Sequence, residues 1–208
     1  MLQQFSLTLK QRARSGAPLS DYLVHAFALV REASRRVLGM FHYDVQILGG
    51  LAICRGTIAE MATGEGKTLV QSLAAFTRSL SGKGVHLATA NGYLAERDFE
   101  FAKPLYDYLS ATAALLPERV PAYQKRSAYL ADITYCTNKS VTADYLRDRL
   151  SLGRLRGLTD ALNVPLGRVY QKPCTAVLGD TACAFDQATP GYFYEGAIEA
   201  VETRSVFR

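Results

Sequence analysis

From Leu19 onward the apolar residues Tyr22, Leu23, Ala26, Phe27, Val30, Ala33 and Val37 recur every three or four positions. That spacing predicts a helix entered after Pro18 and closed near Gly39. A short β-like run, Thr57 to Met61, breaks at Gly64 and Gly66, and a second helical pattern covers Lys67 to Leu80. Ser81-Gly82-Lys83-Gly84 ends it. Val85 to Ala90 reads as a buried strand, which Asn91-Gly92 turns into a helix from Tyr93 to Leu109. Pro117 and Pro121 mark a loop. Beyond them lie a strand candidate at Ile133 to Thr137, a helix at Thr142 to Leu150 and a strand at Thr175 to Leu178. Strands alternating with helices predict an α/β fold: a parallel sheet with helices on both faces. The pattern fades from Gly153, and residues 191–208 show none. There is no internal repeat.

Composition narrows the class. With 208 residues, at roughly 150 per domain, the chain holds one domain plus an extension. Hydrophobic residues make up 49% and charged residues 21%, which excludes disordered and fibrous classes. No run approaches the roughly 18 apolar residues of a membrane helix. The start, with Gln3, Gln4, Lys10 and Gln11, lacks the apolar stretch of a signal peptide. Cys54, Cys136, Cys174 and Cys183 are far apart and form no Cys-x-x-Cys pair. Neither a zinc site nor a disulfide framework is indicated, and a cytosolic, reducing setting fits.

The net charge is +5, and most of it sits early. Residues 1–55 carry seven basic side chains (Lys10, Arg12, Arg14, Arg31, Arg35, Arg36, Arg55) and three acidic ones, a balance of +4. Such an N-terminus can meet anionic lipid or nucleic acid, or it can be an ordinary solvated helix face.

The sharpest chemical signal is Thr63-Gly64-Glu65-Gly66-Lys67-Thr68, set between the β-like run and a helix. Glycines let a loop bring its backbone N–H groups close to an anion, and the following helix N-terminus adds a favourable dipole. In that frame Lys67 reaches the β- and γ-phosphates, and the Thr68 hydroxyl coordinates magnesium. Met61 or Ala62 stands where the general P-loop carries its first glycine, as in the Ala-x-Thr-Gly-x-Gly-Lys-Thr variant of helicase-like ATPases. Gln46 lies 21 residues before Lys67. A carboxamide can pair with both the N6 donor and the N7 acceptor of adenine, although an isolated Gln is also an ordinary surface residue.

Taken together, the residues resemble the N-terminal nucleotide-binding domain of the SecA family, the motor ATPases of bacterial protein export. The likeness runs through Ala26 to Ala33, Asp44-Val45-Gln46-Ile47-Leu48-Gly49-Gly50 and Ile58 to Leu69. It continues through Asn91-Gly92-Tyr93-Leu94-Ala95-Glu96-Arg97-Asp98, Ala131 to Asn138 and Asp144-Tyr145-Leu146-Arg147-Asp148. These motifs span residues 12–150 in order. The resemblance implies a P-loop, RecA-like sheet preceded by a helical segment. It divides the chain into a helical stretch at 1–40, an incomplete nucleotide-binding domain at 41–190 and a divergent tail at 191–208.

By the same resemblance the chain binds ATP or ADP with Mg2+. Gln46 contacts adenine, Thr63 to Thr68 hold the phosphates, and Thr68 contacts the metal. The segments Thr89 to Asn91 and Thr137 to Asn138 are coupling motifs beside the sheet. The implied process is ATP-driven translocation of unfolded preproteins. The implied partners are a SecY-type translocon, the preprotein and anionic lipid, with no nucleic acid. The implied place is the cytoplasm, peripheral to the inner membrane. A helicase-like P-loop fragment and a non-enzymatic regulatory module are the competing readings. A helicase would leave Asn91 to Asp98 and Asp144 to Asp148 without a role, and the latter also reads as a solvated helix with internal ion pairs.

Several positions depart from the family pattern. Gly92 stands where the family generally has Asp, and Cys136 where it has Gly. The family's Walker B strand ends in Asp-Glu, one carboxylate for magnesium and one to activate water. Here Ala176-Val177-Leu178-Gly179-Asp180-Thr181 offers a single carboxylate. In one register Gly179 replaces the magnesium Asp and Asp180 is a shortened catalytic residue. In the other, Asp180 serves magnesium and Thr181 marks the missing base. A strand unrelated to Walker B is the remaining reading. The chain also stops where the family continues into a second lobe, so the expectation is nucleotide binding with little or no hydrolysis. Family-like residues up to Pro190 followed by unrelated ones suggest a disrupted reading frame.

Overall fold

Val85, His86 and Leu87 of β1 (Gly84–Thr89) and every residue of β3 (Ile133–Thr137) are buried, as parallel strands covered on both faces must be. The two run parallel, with Val85 opposite Ile133 and Thr89 opposite Thr137. Strand β2 (Ala113–Leu115) joins the free side of β3, and β4 (Cys174–Gly179) joins that of β1. All pairings are parallel, in the order β2-β3-β1-β4. The computed structural model describes residues 2–62, 64–116, 120, 122–152 and 174–179. Thr63, Asp180, Thr181 and the tail at 191–208 lie outside these residues.

Helices α1 (Leu2–Arg14), α2 (Leu19–Val37), α3 (Asp44–Cys54) and α4 (Lys67–Ser79) precede the sheet. Helix α5 (Gly92–Tyr108) connects β1 to β2, α6 (Ala122–Tyr129) precedes β3, and α7 (Asn138–Leu152) follows it. Helices α2, α4 and α5 therefore lie within a residue or two of the periodic segments. Helix α7 begins at Asn138 rather than Thr142 because Thr137 Oγ1 accepts the Ser140 N–H at 3.2 Å and caps it.

One expected strand is absent. Thr57 to Met61 is irregular, with Thr57, Ile58 and Glu60 exposed. Its start closes α3 instead, as the Thr57 N–H and hydroxyl both donate to the Ala52 carbonyl, the former at 2.9 Å. A strand of this sheet would need cover on both faces, and this segment has it on neither.

The main core fills the space between α2, α4, α5 and the sheet. Phe27, Val30, Leu73, Phe76, Leu87, Leu105, Ile133 and Tyr135 meet there. Tyr106 and Tyr135, both buried, satisfy each other's hydroxyls at 3.2 Å. A second, smaller cluster of Leu116, Ala128, Tyr129, Cys136 and Val141 lies under α6 and α7. Cys136, where the resembling family has Gly, fills part of it. Beside this cluster the fully buried Asp144 accepts from both directions. Lys125 Nζ contacts its two oxygens at 2.9 Å each, Tyr129 donates at 3.1 Å and Arg147 at 2.8 Å. The ion pair expected within the helix exists as Asp144–Arg147, with the guanidinium exposed, but Asp144 itself is buried and is also paired with Lys125 of α6.

Helix α1 packs Leu9 and Ala13 into the main core and is fastened by polar contacts. Ser6 Oγ donates to the Leu109 carbonyl at 2.6 Å, and Lys10 Nζ reaches Asp132 Oδ2 at 2.8 Å. That oxygen also accepts from the Thr112 N–H and hydroxyl, each at 3.0 Å. Burial pushes the Asp132 carboxyl upward, yet the bonds from Lys10 and Thr112 outweigh it and hold it below its usual value.

A carboxyl held down in the fold contributes stability above its unfolded value, near 3.9. It loses that contribution as pH falls through the lower folded value. Asp132→Asn should therefore cost about 1.5–3 kcal/mol at pH 7 and flatten the loss of stability on acidification below the ordinary carboxylate range. Urea unfolding at pH 7 and at pH 3 reads both effects. An unchanged midpoint at pH 7 would show that Asp132 does not anchor α1.

Candidate functional site

Gly64 and Gly66 both take positive φ, +87° and +80°, a conformation that costs other residues about 1–2 kcal/mol. The second glycine is the N-cap of α4 and supplies no side-chain hydrogen bond to the helix. The first N–H groups of α4 therefore lack intrahelical acceptors, and with the helix dipole they form an anion-binding end. Lys67 folds back and donates from Nζ to the Ala62 carbonyl at 3.1 Å. A short turn connects α4 to β1 and the two run antiparallel, so this helix end lies at the C-terminal edge of the sheet. Thr89, Thr137 and, in β4, Gly179 sit on the same edge. Open parallel sheets bind ligands at that edge.

Gln46 is buried in the first turn of α3 and joins it to the glycine loop. Its Oε1 accepts the Tyr43 N–H at 3.1 Å, and its Nε2 donates to the Glu65 carbonyl at 2.9 Å. A β-carbon on residue 66 would stand 2.5 Å from that Nε2. Glycines also bring α3 onto α4: a β-carbon at Gly50 would meet Phe27 at 3.1 Å and Leu73 at 3.3 Å. Gln46 is thus joined to the glycine loop that runs from Gly64 to Thr68.

The segment Met40 to Tyr43 forms a wall beside it and is moored to α2. Ser34 Oγ donates to the Met40 carbonyl at 2.9 Å, and Arg31 Nε to the His42 carbonyl at 3.1 Å. The Arg31 guanidinium also stacks over the Phe41 ring, 4.0 Å from its centroid. His42 is buried against α4, with Nε2 at 3.1 Å from the Leu69 carbonyl. Burial lowers its pKa, the Leu69 bond offsets part of this and the Arg31 charge lowers it further. The ring is therefore neutral, with the proton assigned to Nε2.

Between this wall, α4 and α5 lies a cleft of about 620 Å³, within the usual range for small-molecule sites. Met40, Phe41, Tyr43, Gln46, Gly66, Thr68, Arg97 and Asp98 line it. The contact between Thr68 and Asp98 joins residues 30 positions apart, and the sequence offered Asp98 only as the end of the Asn91 to Asp98 motif. Asp98 is in fact 1% exposed. Its Oδ1 accepts from Arg97 Nε at 2.9 Å and Nη2 at 2.7 Å, and from Thr68 Oγ1 at 3.4 Å. Its Oδ2 is buried with no hydrogen-bond partner. Among the described residues no cluster of three or more His, Cys, Asp or Glu side chains could hold a metal by itself.

Comparison with known proteins finds the SecA DEAD-like domain over residues 1–167, farther on both sides than the motifs quoted above. The protein translocase subunit SecA of Cellvibrio japonicus is 48% identical over 181 residues, 87% of this chain and 19% of its own length. That of Psychrobacter sp. is 51% identical over 149 residues, 72% of this chain and 16% of its length. That of Wolbachia pipientis wMel is 50% identical over 145 residues, 70% and 17% respectively. The chain spans less than a fifth of the length of these relatives.

Gly64 and Gly66 share positive φ, but only Gly66 has a neighbour within 4 Å of the β-carbon position. Gly64→Ala should therefore cost only the backbone part, about 1–2 kcal/mol. Gly66→Ala should cost more, because it also breaks the Gln46 contact. Urea denaturation of both variants is the measurement, and equal losses would remove Gln46 from the architecture of the loop.

Proposed function

This chain belongs to the SecA family through its SecA DEAD-like domain, and we propose that it is the nucleotide-binding lobe of an ATP-driven protein-translocating motor. One observation carries the reading: a left-handed glycine opens α4 with uncapped N–H groups, next to Lys67 and against Gln46. The donors present suit a nucleoside di- or triphosphate with magnesium. The start of α4 and Lys67 match phosphate oxygens. The Thr68 oxygen supplies a hard donor for the cation, beside the buried Asp98 carboxylate.

A carboxamide has two acceptor lone pairs and two N–H donors. Tyr43 and Glu65 take one of each from Gln46. One acceptor and one donor remain, the pair that adenine N6 and N7 require. When bound, the nucleotide would supply the phosphoanhydride whose cleavage drives transport. Lys67 would leave Ala62 for the phosphates, and the Met40 to Tyr43 wall would shield the base from water. Thr63 completes the phosphate loop in this reading, and Asp180 is the remaining candidate for activating water.

Binding is expected to exceed catalysis. Gly179 ends β4 opposite Ala88, at the sheet edge beside the site, where a magnesium carboxylate would otherwise stand. The proposed partners are a SecY-type translocon, an unfolded preprotein and anionic lipid, without nucleic acid, at the cytoplasmic side of the inner membrane. No helix among the described residues is long and apolar enough to cross a membrane.

Calorimetry with ADP and magnesium tests the reading. Lys67→Ala removes a charge-assisted contact of roughly 1.5–3 kcal/mol, about ten- to a hundredfold in affinity. Equal affinities for wild type and variant would exclude this loop as the phosphate site.

A further inference from the structure

We propose that Asp98 is the positioning residue of the Thr68 hydroxyl, accepting its hydrogen bond so that the hydroxyl oxygen's lone pairs face a nucleotide-bound divalent cation. This rests on the nucleotide reading above. A hydroxyl has one hydrogen and two lone pairs. It can present a lone pair to a cation only if its hydrogen is directed to another acceptor. In this cleft that acceptor is Asp98, whose Oδ1 lies 3.4 Å from Thr68 Oγ1.

Two features mark Asp98 as more than a helix charge. It is 1% exposed, and a buried carboxylate destabilises unless fully paired. Its pairing is nonetheless one-sided. Arg97 takes Oδ1 through two nitrogens, at 2.9 and 2.7 Å, whereas Oδ2 is buried and empty-handed. The 3.4 Å contact is long for an O–H···O bond, because Thr68 shares an oxygen that Arg97 already occupies. The unused oxygen belongs to the same carboxylate, so a small rotation of Asp98 would give the hydroxyl an acceptor of its own. Groups one step behind a metal ligand are worth about ten- to a hundredfold in metal affinity.

The test is calorimetry of ADP binding with magnesium and, separately, with excess EDTA, on the 208-residue chain. Wild type should bind more tightly with magnesium. Asp98→Asn should keep the metal-free affinity and lose about tenfold or more of the magnesium-dependent gain. Thr68→Ala should lose the same gain, and the double variant no more than either. Asp98→Glu, which keeps a carboxylate, should recover part of it, and melting temperatures without nucleotide separate folding losses from binding losses. An equal loss in both buffers for Asp98→Asn would mean that Asp98 acts through Arg97 or the fold, and would overturn the proposal. Additive losses in the double variant, or a wild type indifferent to magnesium, would overturn it as well. A wild type that binds no ADP in either buffer would overturn the nucleotide reading itself.

Discussion

The site is organised around a β-carbon that is missing. Gln46 Nε2 occupies the space beside residue 66 where a methyl group would have to stand, at 2.5 Å. Only with glycine there can α3 close on the glycine loop. The same carboxamide holds the Tyr43 N–H, which fixes the end of the Met40 to Tyr43 wall. The same glycine starts α4, which leads directly into β1 and so ties the loop to the central strand. A side chain of ordinary size at position 66 would loosen the Met40 to Tyr43 wall, the loop and the start of α4 together.

Much of this was legible in the sequence, for a physical reason. Strands β1 and β3 are buried on both faces and so read as short, largely apolar runs, although His86 and Thr134 interrupt them. Helices α4 and α5 pack on the sheet and α2 packs on both of them, so each carries an apolar side legible in the sequence. Gln46 and Gly64 to Thr68 carried their chemistry in residue type and spacing. Helix α3 was missed because Asp44 to Cys54 is apolar on nearly every side and so shows no helical period, while its Gly49-Gly50 pair permits close packing on α4. Thr57 to Met61 had β-forming residues, yet its backbone bonds go to the end of α3 and no neighbouring strand covers it. Asp98 was legible as the end of the Asn91 to Asp98 motif, but its burial beside Thr68, a contact across 30 positions, was not.

The basic N-terminal charge also changes meaning in three dimensions. Lys10 and Arg14 face Asp132, Arg31 faces Asp44 and Phe41, and Arg35 and Arg36 share Glu32. The two guanidiniums hydrogen-bond Glu32 and hold it down at about 2. Exposed pairs of this kind add little stability. Of these partners only Asp132 lies outside residues 1–55, so pairing offsets a single charge of the +4 and the N-terminal stretch stays basic. The Lys10 contact, by contrast, is largely shielded from water and works as a fastener.

The small core under α6 and α7 has a consequence for how the domain comes apart. It is separate from the main core among the described residues, and it is held beside a carboxylate gripped by Lys125, Tyr129 and Arg147. Buried ion pairs of this sort specify position more than they add strength. Opening of one packed unit need not open its neighbour. Helices α6 and α7 can therefore breathe together, exchanging their amide hydrogens ahead of α2 and α4, while β3, which gives Ile133 and Tyr135 to the main core, stays folded with the glycine loop and its wall.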